Sequence, residues 1–205
     1  MKKNGFWLTV ATVFLFSNVC LAEAPKRLGD FVLGENISAY EGRIQKDTVL
    51  TIRYQEYLSE VETNRIDGFK SGLIAYGTCD KPGQIIRIKL KYADSSKTFF
   101  KTLLGRFKKR FGEPDDWRGD PFHVVIAWKW NFLDKDGNQI SLTLQHNTMD
   151  QEEKKGNAVK MTLTSQIIKE HLCYEKKHPE KAQPKPVKSK KQKRKVDWDL
   201  FIPRQ

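Results

Sequence analysis

The chain has 205 residues, with 37 Lys or Arg against 25 Asp or Glu, a formal charge of +12 and 39% hydrophobic residues. That length supplies one independent hydrophobic core. Beyond the first 22 residues no apolar stretch reaches the roughly 20 residues a membrane-spanning helix needs, so a helical membrane protein is excluded on sequence grounds.

Lys2 and Lys3 are followed by an uncharged run through Phe6, Trp7, Leu8, Val10, Val13, Phe14, Leu15 and Phe16, ending in Cys20-Leu21-Ala22. A positive start, a short apolar stretch and small residues at −3 and −1 form a secretory signal peptide over residues 1–22, cleaved after Ala22. Val19 before Cys20 is a poor lipoprotein signal, and Ser17 and Asn18 interrupt the run against an anchor reading. The expected location is periplasmic or secreted. Residues 23–174 form the exported domain, in which Cys79 and Cys173 are the two cysteines left. An even count in an oxidising compartment points to a disulfide between them.

Asn36 is a candidate N-cap for a short helical segment containing Ile37 and Tyr40 and stopped by Gly42. Val49 to Tyr57 reads as a strand, with Leu50, Ile52 and Tyr54 alternating with polar neighbours. Gly72–Tyr76 and Ile85–Tyr92 flank Asp80-Lys81-Pro82-Gly83 and read as a hairpin. In its second strand Ile86, Ile88 and Leu90 alternate with Arg87, Lys89 and Lys91. From Ser95 or Ser96, the spacing of Phe99, Phe100, Leu103, Leu104, Phe107 and Phe111 predicts an amphipathic helix, closed by basic Lys108 to Arg110, Gly112 and Pro114.

Val124–Phe132 and Ile140–Leu144 form a second expected hairpin around Asp134 to Asn138. Val159–Leu163 is a last strand, followed by a short helix from about Ser165 to Tyr174. The resulting expectation is an α+β fold: an antiparallel sheet built from hairpins and covered by an amphipathic helix, in roughly βββα-βββα order.

Residues 175–205 contain eleven basic and four acidic residues, a net +7, whereas residues 23–174 carry only +3. This Lys-rich segment is expected to be a disordered tail that ends in an apolar motif. Trp198, Leu200, Phe201 and Ile202 are candidate partner-binding anchors, with Lys190, Lys191, Lys193, Arg194 and Lys195 as the adjacent cationic cluster. Outside the cytoplasm such a cluster meets envelope proteins, anionic polymers and lipid surfaces rather than nucleic acid.

Catalytic and metal signals are weak. Asp134, Asp136 and Asn138 have the first spacings of a calcium loop, but Gln139 and Gln145 stand where Gly and Glu are required, so a hairpin turn is the better reading. His123, His146 and His171 lie on separate elements without metal-ligand spacing. Ser141 and Ser165 lack the glycine pattern of a nucleophile elbow. No catalytic, cofactor-binding or metal-ligating residue is assigned. Trp117, Trp128, Trp130 and Tyr92 read as core first and a ligand groove second, with Trp117 the most exposed ring. The functional expectation is a non-catalytic binding or scaffolding protein of the cell envelope; the alternative is an envelope hydrolase whose residues assemble from distant positions.

Overall fold

A computed structural model describes residues 24–148 and 156–179. It begins with two short paired strands, β1 (Arg27–Leu28) and β2 (Phe31–Val32), and a 3-10 segment, Ile37–Arg43, whose cap Asn36 accepts from Ser38 N at 3.0 Å. The expected short helix is thus the tighter 3-10 form.

The main body is one antiparallel sheet of eight strands. Its first half is β3 (Ile44–Thr51), β4 (Leu58–Thr63), β5 (Phe69–Gly77) and β6 (Ile85–Tyr92), followed by α1 (Lys97–Phe111). Its second half is β7 (Asp116–Trp117), β8 (Val125–Leu133), β9 (Gln139–Asn147) and β10 (Gly156–Leu163), followed by α2 (Thr164–Lys177). The spatial order is β3-β4-β5-β6-β10-β9-β8-β7. Two meanders therefore meet where β6 pairs with β10, and each ends in a helix.

The α+β class and the antiparallel sheet agree with the sequence reading. Each half, however, holds four strands of the sheet where three were expected. The extra strand in the first half is β4. The chain reverses between Ile52 and Leu58 without Gly or Pro, and Tyr54 takes a left-handed backbone with φ of 65°. The extra strand in the second half, β7, is only two residues long.

Period-two alternation sends one set of side chains to each face. Ile86, Ile88, Leu90, Leu142, Leu144, Val159 and Met161 are buried on one face. The phenylalanine stripe of α1 covers them: Phe100 is buried, and Leu103, Leu104, Phe107 and Phe111 pack against the same cluster. Ser96 caps α1 by accepting from Phe99 N at 3.1 Å, and Gly112 ends it at φ 81°. Among the described residues no helix is long and apolar enough to cross a membrane.

Candidate functional site

α1 covers one face of the sheet, and α2 meets the other only at the end that carries Gly77 and Ser141. Among the described residues the rest of that second face is open, and the alternation that buries Ile86, Ile88 and Leu90 turns Arg87, Lys89 and Lys91 onto it. The chain reversal that pairs β6 with β10 then sets Lys160 directly opposite Lys89. Thr143 lies opposite Lys160 on β9, and Lys129 lies opposite Thr143 on β8. Lys160 is thus the centre of a cationic group, with Lys89 across from it, Arg87 and Lys91 diagonal, and Lys129 one strand beyond Thr143.

Like charges placed directly across an antiparallel pair destabilise a sheet, yet Lys89 and Lys160 face each other, and of Lys89, Lys129 and Lys160 only Lys129 has an acid, Asp116, directly across from it. Among the described residues none of Lys89, Lys129 and Lys160 makes an ion pair. The crowding reaches the amine of Lys160: burial by the surrounding sheet, and then the charges of Arg87, Lys89 and Lys129, hold it below the usual lysine range. Burial likewise lowers Arg87, against an opposing pull from Glu60. Arg87 also donates to Gln55 at 3.4 Å.

Between the cations stand Ala75, Ala158, Thr143 and Leu73, whose modest size leaves depressions in the face. One, of about 320 Å³, lies among Arg87, Lys89 and Lys160, with the carboxylate of Glu60 at its Arg87 end. A second, of about 510 Å³, adjoins it and shares Leu73, Lys89, Gln145 and Ala158. The cationic window is bounded across the strands. In the row through Lys89, Lys160, Thr143 and Lys129, Glu62 stands at β4 on one side and Asp116 at β7 on the other. Such a surface concentrates anions, and its alternating cations and small residues provide several N–H donors around a shallow space.

Residues singled out from sequence fall elsewhere. Cys79 and Cys173 are bonded, with Cα atoms 5.8 Å apart. The disulfide sits beside a buried carboxylate that sequence did not reveal. Glu170 on α2 accepts from the backbone N–H groups of Cys79 at 2.7 Å, Asp80 at 3.0 Å and Lys81 at 2.7 Å, and from Gln166 Nε2 at 3.4 Å. A β-carbon on Gly77 would overlap this carboxylate, so that glycine is required by close approach. The site is a latch that fastens the loop after β5 to α2.

Asp134 belongs to the hairpin turn. Its carboxylate accepts from Asp136 N at 2.9 Å and Asn138 N at 2.7 Å and pairs with Lys26 at 2.8 Å, which holds it well below the usual carboxylate range. Its oxygens are committed to the turn and to Lys26. Asp136 lies farther from that lysine, at 3.7 Å. His146 is buried, its Nδ1 2.8 Å from Asn157 Oδ1; because Asn157 Nδ2 donates to the carbonyls of Asp94 and Ser96, the histidine donates here through Nδ1. His123 lies in the exposed loop near Trp117, and His171 faces Glu175 at 3.5 Å on α2. The three imidazoles are not brought together, and among the described residues no group of three His, Cys, Asp or Glu side chains could hold a metal.

The aromatic cluster is core. Trp130 is buried, donates to Gly112 O at 2.9 Å and packs on Phe107; Tyr92 stacks on Phe69 and meets Phe99 edge-on. Burial pushes the Tyr92 phenol up to about 12. Trp117 is partly exposed, across from Trp128. Ser141 lies on β9 and Ser165 opens α2. Trp198, Leu200, Phe201, Ile202 and the cluster Lys190, Lys191, Lys193, Arg194 and Lys195 lie outside the described residues. No protein-family model, no curated protein and no solved structure matches this chain.

Proposed function

We propose that this is an exported, non-catalytic binding protein of the cell envelope that holds an anionic partner on the open face of its sheet. The observation that carries the reading is the direct opposition of Lys89 and Lys160, with Arg87 and Lys129 close by and, among the described residues, no ion pair at either of the two opposed lysines. Local rules of stability are broken most often where function needs it, and an anion seated between these amines removes the repulsion. Export is supported by the signal-like residues 1–22 and by the Cys79–Cys173 disulfide, a bond that persists in oxidising compartments. The Lys-rich residues 175–205 add a second, salt-sensitive attraction to anionic surfaces, with the apolar motif at Trp198 to Ile202 as its anchor.

The test compares two charge-matched variants of the full mature chain in cosedimentation with an envelope fraction. Lys89→Gln/Lys129→Gln/Lys160→Gln removes three open-face charges, and Lys97→Gln/Lys101→Gln/Lys109→Gln removes three exposed charges from α1. The first is expected to weaken binding at least tenfold and the second to leave it unchanged. Equal losses would reduce the interaction to net charge and end the assignment to the open face.

A further inference from the structure

The shape of the cationic window says more than its sign. Across the strands it runs only from Lys89 on β6 to Lys129 on β8 before Glu62 and Asp116 close it, a span of roughly 14 Å at about 4.8 Å per strand. Along the strand, Arg87 to Lys91 covers about 13 Å. A long polyanion crossing the face would run onto fixed acids at either side. The window suits a compact anionic group.

The charges within it are ammonium groups. An arginine fork matches the planar carboxylate, whereas lysines act as point charges that approach an anion from separate directions. The one arginine of the group, Arg87, already donates to Gln55 and faces the charge of Glu60. Two opposed lysines, Lys89 and Lys160, are neutralised together by a group of charge near −2 with several acceptor oxygens, which describes a phosphomonoester. A carboxylate or a phosphodiester, each of charge −1, leaves one of the two unmatched. Thr143, opposite Lys160, adds a hydroxyl donor at the same spot. The residues lining the depression between Lys89 and Lys160 include no aromatic ring, so no stacking platform is offered to a sugar or base.

We propose that the ligand group of this face is a phosphomonoester, seated between Lys89 and Lys160 with Thr143 beside it and Arg87 and Lys129 supplying the surrounding positive field. The proposal rests on the reading of the open face as an anion-binding surface. It applies equally to a phosphorylated lipid headgroup and to a soluble phosphate ester, which share this chemistry.

The experiment is calorimetric titration of the full mature chain with glycerol 3-phosphate, dimethyl phosphate and acetate at one ionic strength, for the native sequence, Lys89→Gln, Lys160→Gln and the α1 control Lys101→Gln. Urea midpoints of the variants are measured alongside to establish that each is folded. Glycerol 3-phosphate is expected to bind at least tenfold more tightly than the other two anions. Lys89→Gln or Lys160→Gln should each remove at least tenfold of that affinity, and Lys101→Gln none. Vesicles of phosphatidylcholine with phosphatidic acid or with phosphatidylglycerol, at matched surface charge, then locate the source. A preference for phosphatidic acid that Lys160→Gln abolishes identifies a lipid headgroup, and selectivity confined to the soluble ester identifies a soluble ligand. Equal affinity for monoester and diester, lost in the lysine variants, overturns the phosphomonoester assignment while leaving the anion-binding face intact. Indifference to both Lys89→Gln and Lys160→Gln overturns both.

Discussion

Glu170→Gln keeps the shape of a buried side chain while changing one acceptor into a donor, which makes it the sharpest probe of the latch between α2 and the loop after β5. In the native protein one oxygen, Oε2, serves Cys79 N and Asp80 N, and the other, Oε1, serves Lys81 N at 2.7 Å. The amide oxygen of glutamine can keep the first pair. Its NH2 group then points at the Lys81 N–H, so one charge-assisted bond worth about 2 kcal/mol is lost and the retained pair drops by about 1 kcal/mol each to the strength of neutral bonds. The expected cost is about 4 kcal/mol, which in a domain of this size lowers the melting temperature by roughly 8 to 16 °C. Urea denaturation followed by tryptophan fluorescence, with the disulfide intact in both proteins, reads the difference directly. Gly77→Ala should be comparably damaging because its β-carbon meets the same carboxylate, and combining it with Glu170→Ala should cost less than the two changes summed. A loss below about 1 kcal/mol for Glu170→Gln would mean that water reaches these N–H groups, and the latch would contribute little.

Other consequences can be checked in parallel. Asn157→Ala leaves the buried His146 without its partner and frees the carbonyls of the exposed Asp94 and Ser96, and equilibrium unfolding should register a loss of about 2 kcal/mol. The lowered Asp134 carboxyl adds stability above the ordinary carboxylate range, and this is lost as pH falls through its folded value; Lys26, raised by the same pairing, loses its share only as pH climbs past the usual lysine range. Asp134→Asn should therefore flatten the acid limb of a stability profile measured from pH 7 downward, and an unchanged limb would contradict the pairing. N-terminal sequencing of the protein isolated from whole cells should start at Glu23, and an intact Met1 would overturn the export proposal.

Local signals were legible where the chain itself punctuates structure. Ser96 and Gly112 bound α1 as their residue types require, and the Pro82-Gly83 turn joins β5 to β6 as expected. The turn before β4 escaped notice because Tyr54, rather than Gly or Asn, occupies the left-handed position, and β7 is too short for alternation to register. The disulfide followed from a count of two cysteines, whereas Glu170 looked like any acid on an amphipathic helix until the fold brought the backbone of residues 79–81 to it. The open face lies between these extremes. Arg87, Lys89 and Lys91 were visible as the polar half of an alternating strand, but Lys129 and Lys160 lie on strands far along the sequence. Only the pairing of β6 with β10 puts Lys160 opposite Lys89. A contact between strands separated by a helix and a complete hairpin leaves no periodicity in a single sequence.

The most direct test of the central claim is chemical-shift mapping of the full mature chain with glycerol 3-phosphate as the anionic probe. Binding on the open face predicts the largest changes at the amides of Lys89, Thr143, Gln145 and Lys160, fading toward Glu62 and Asp116 at the borders of the window. Changes restricted to residues 185–195, or to the solvent side of α1 and α2, would place the anion elsewhere and contradict the account.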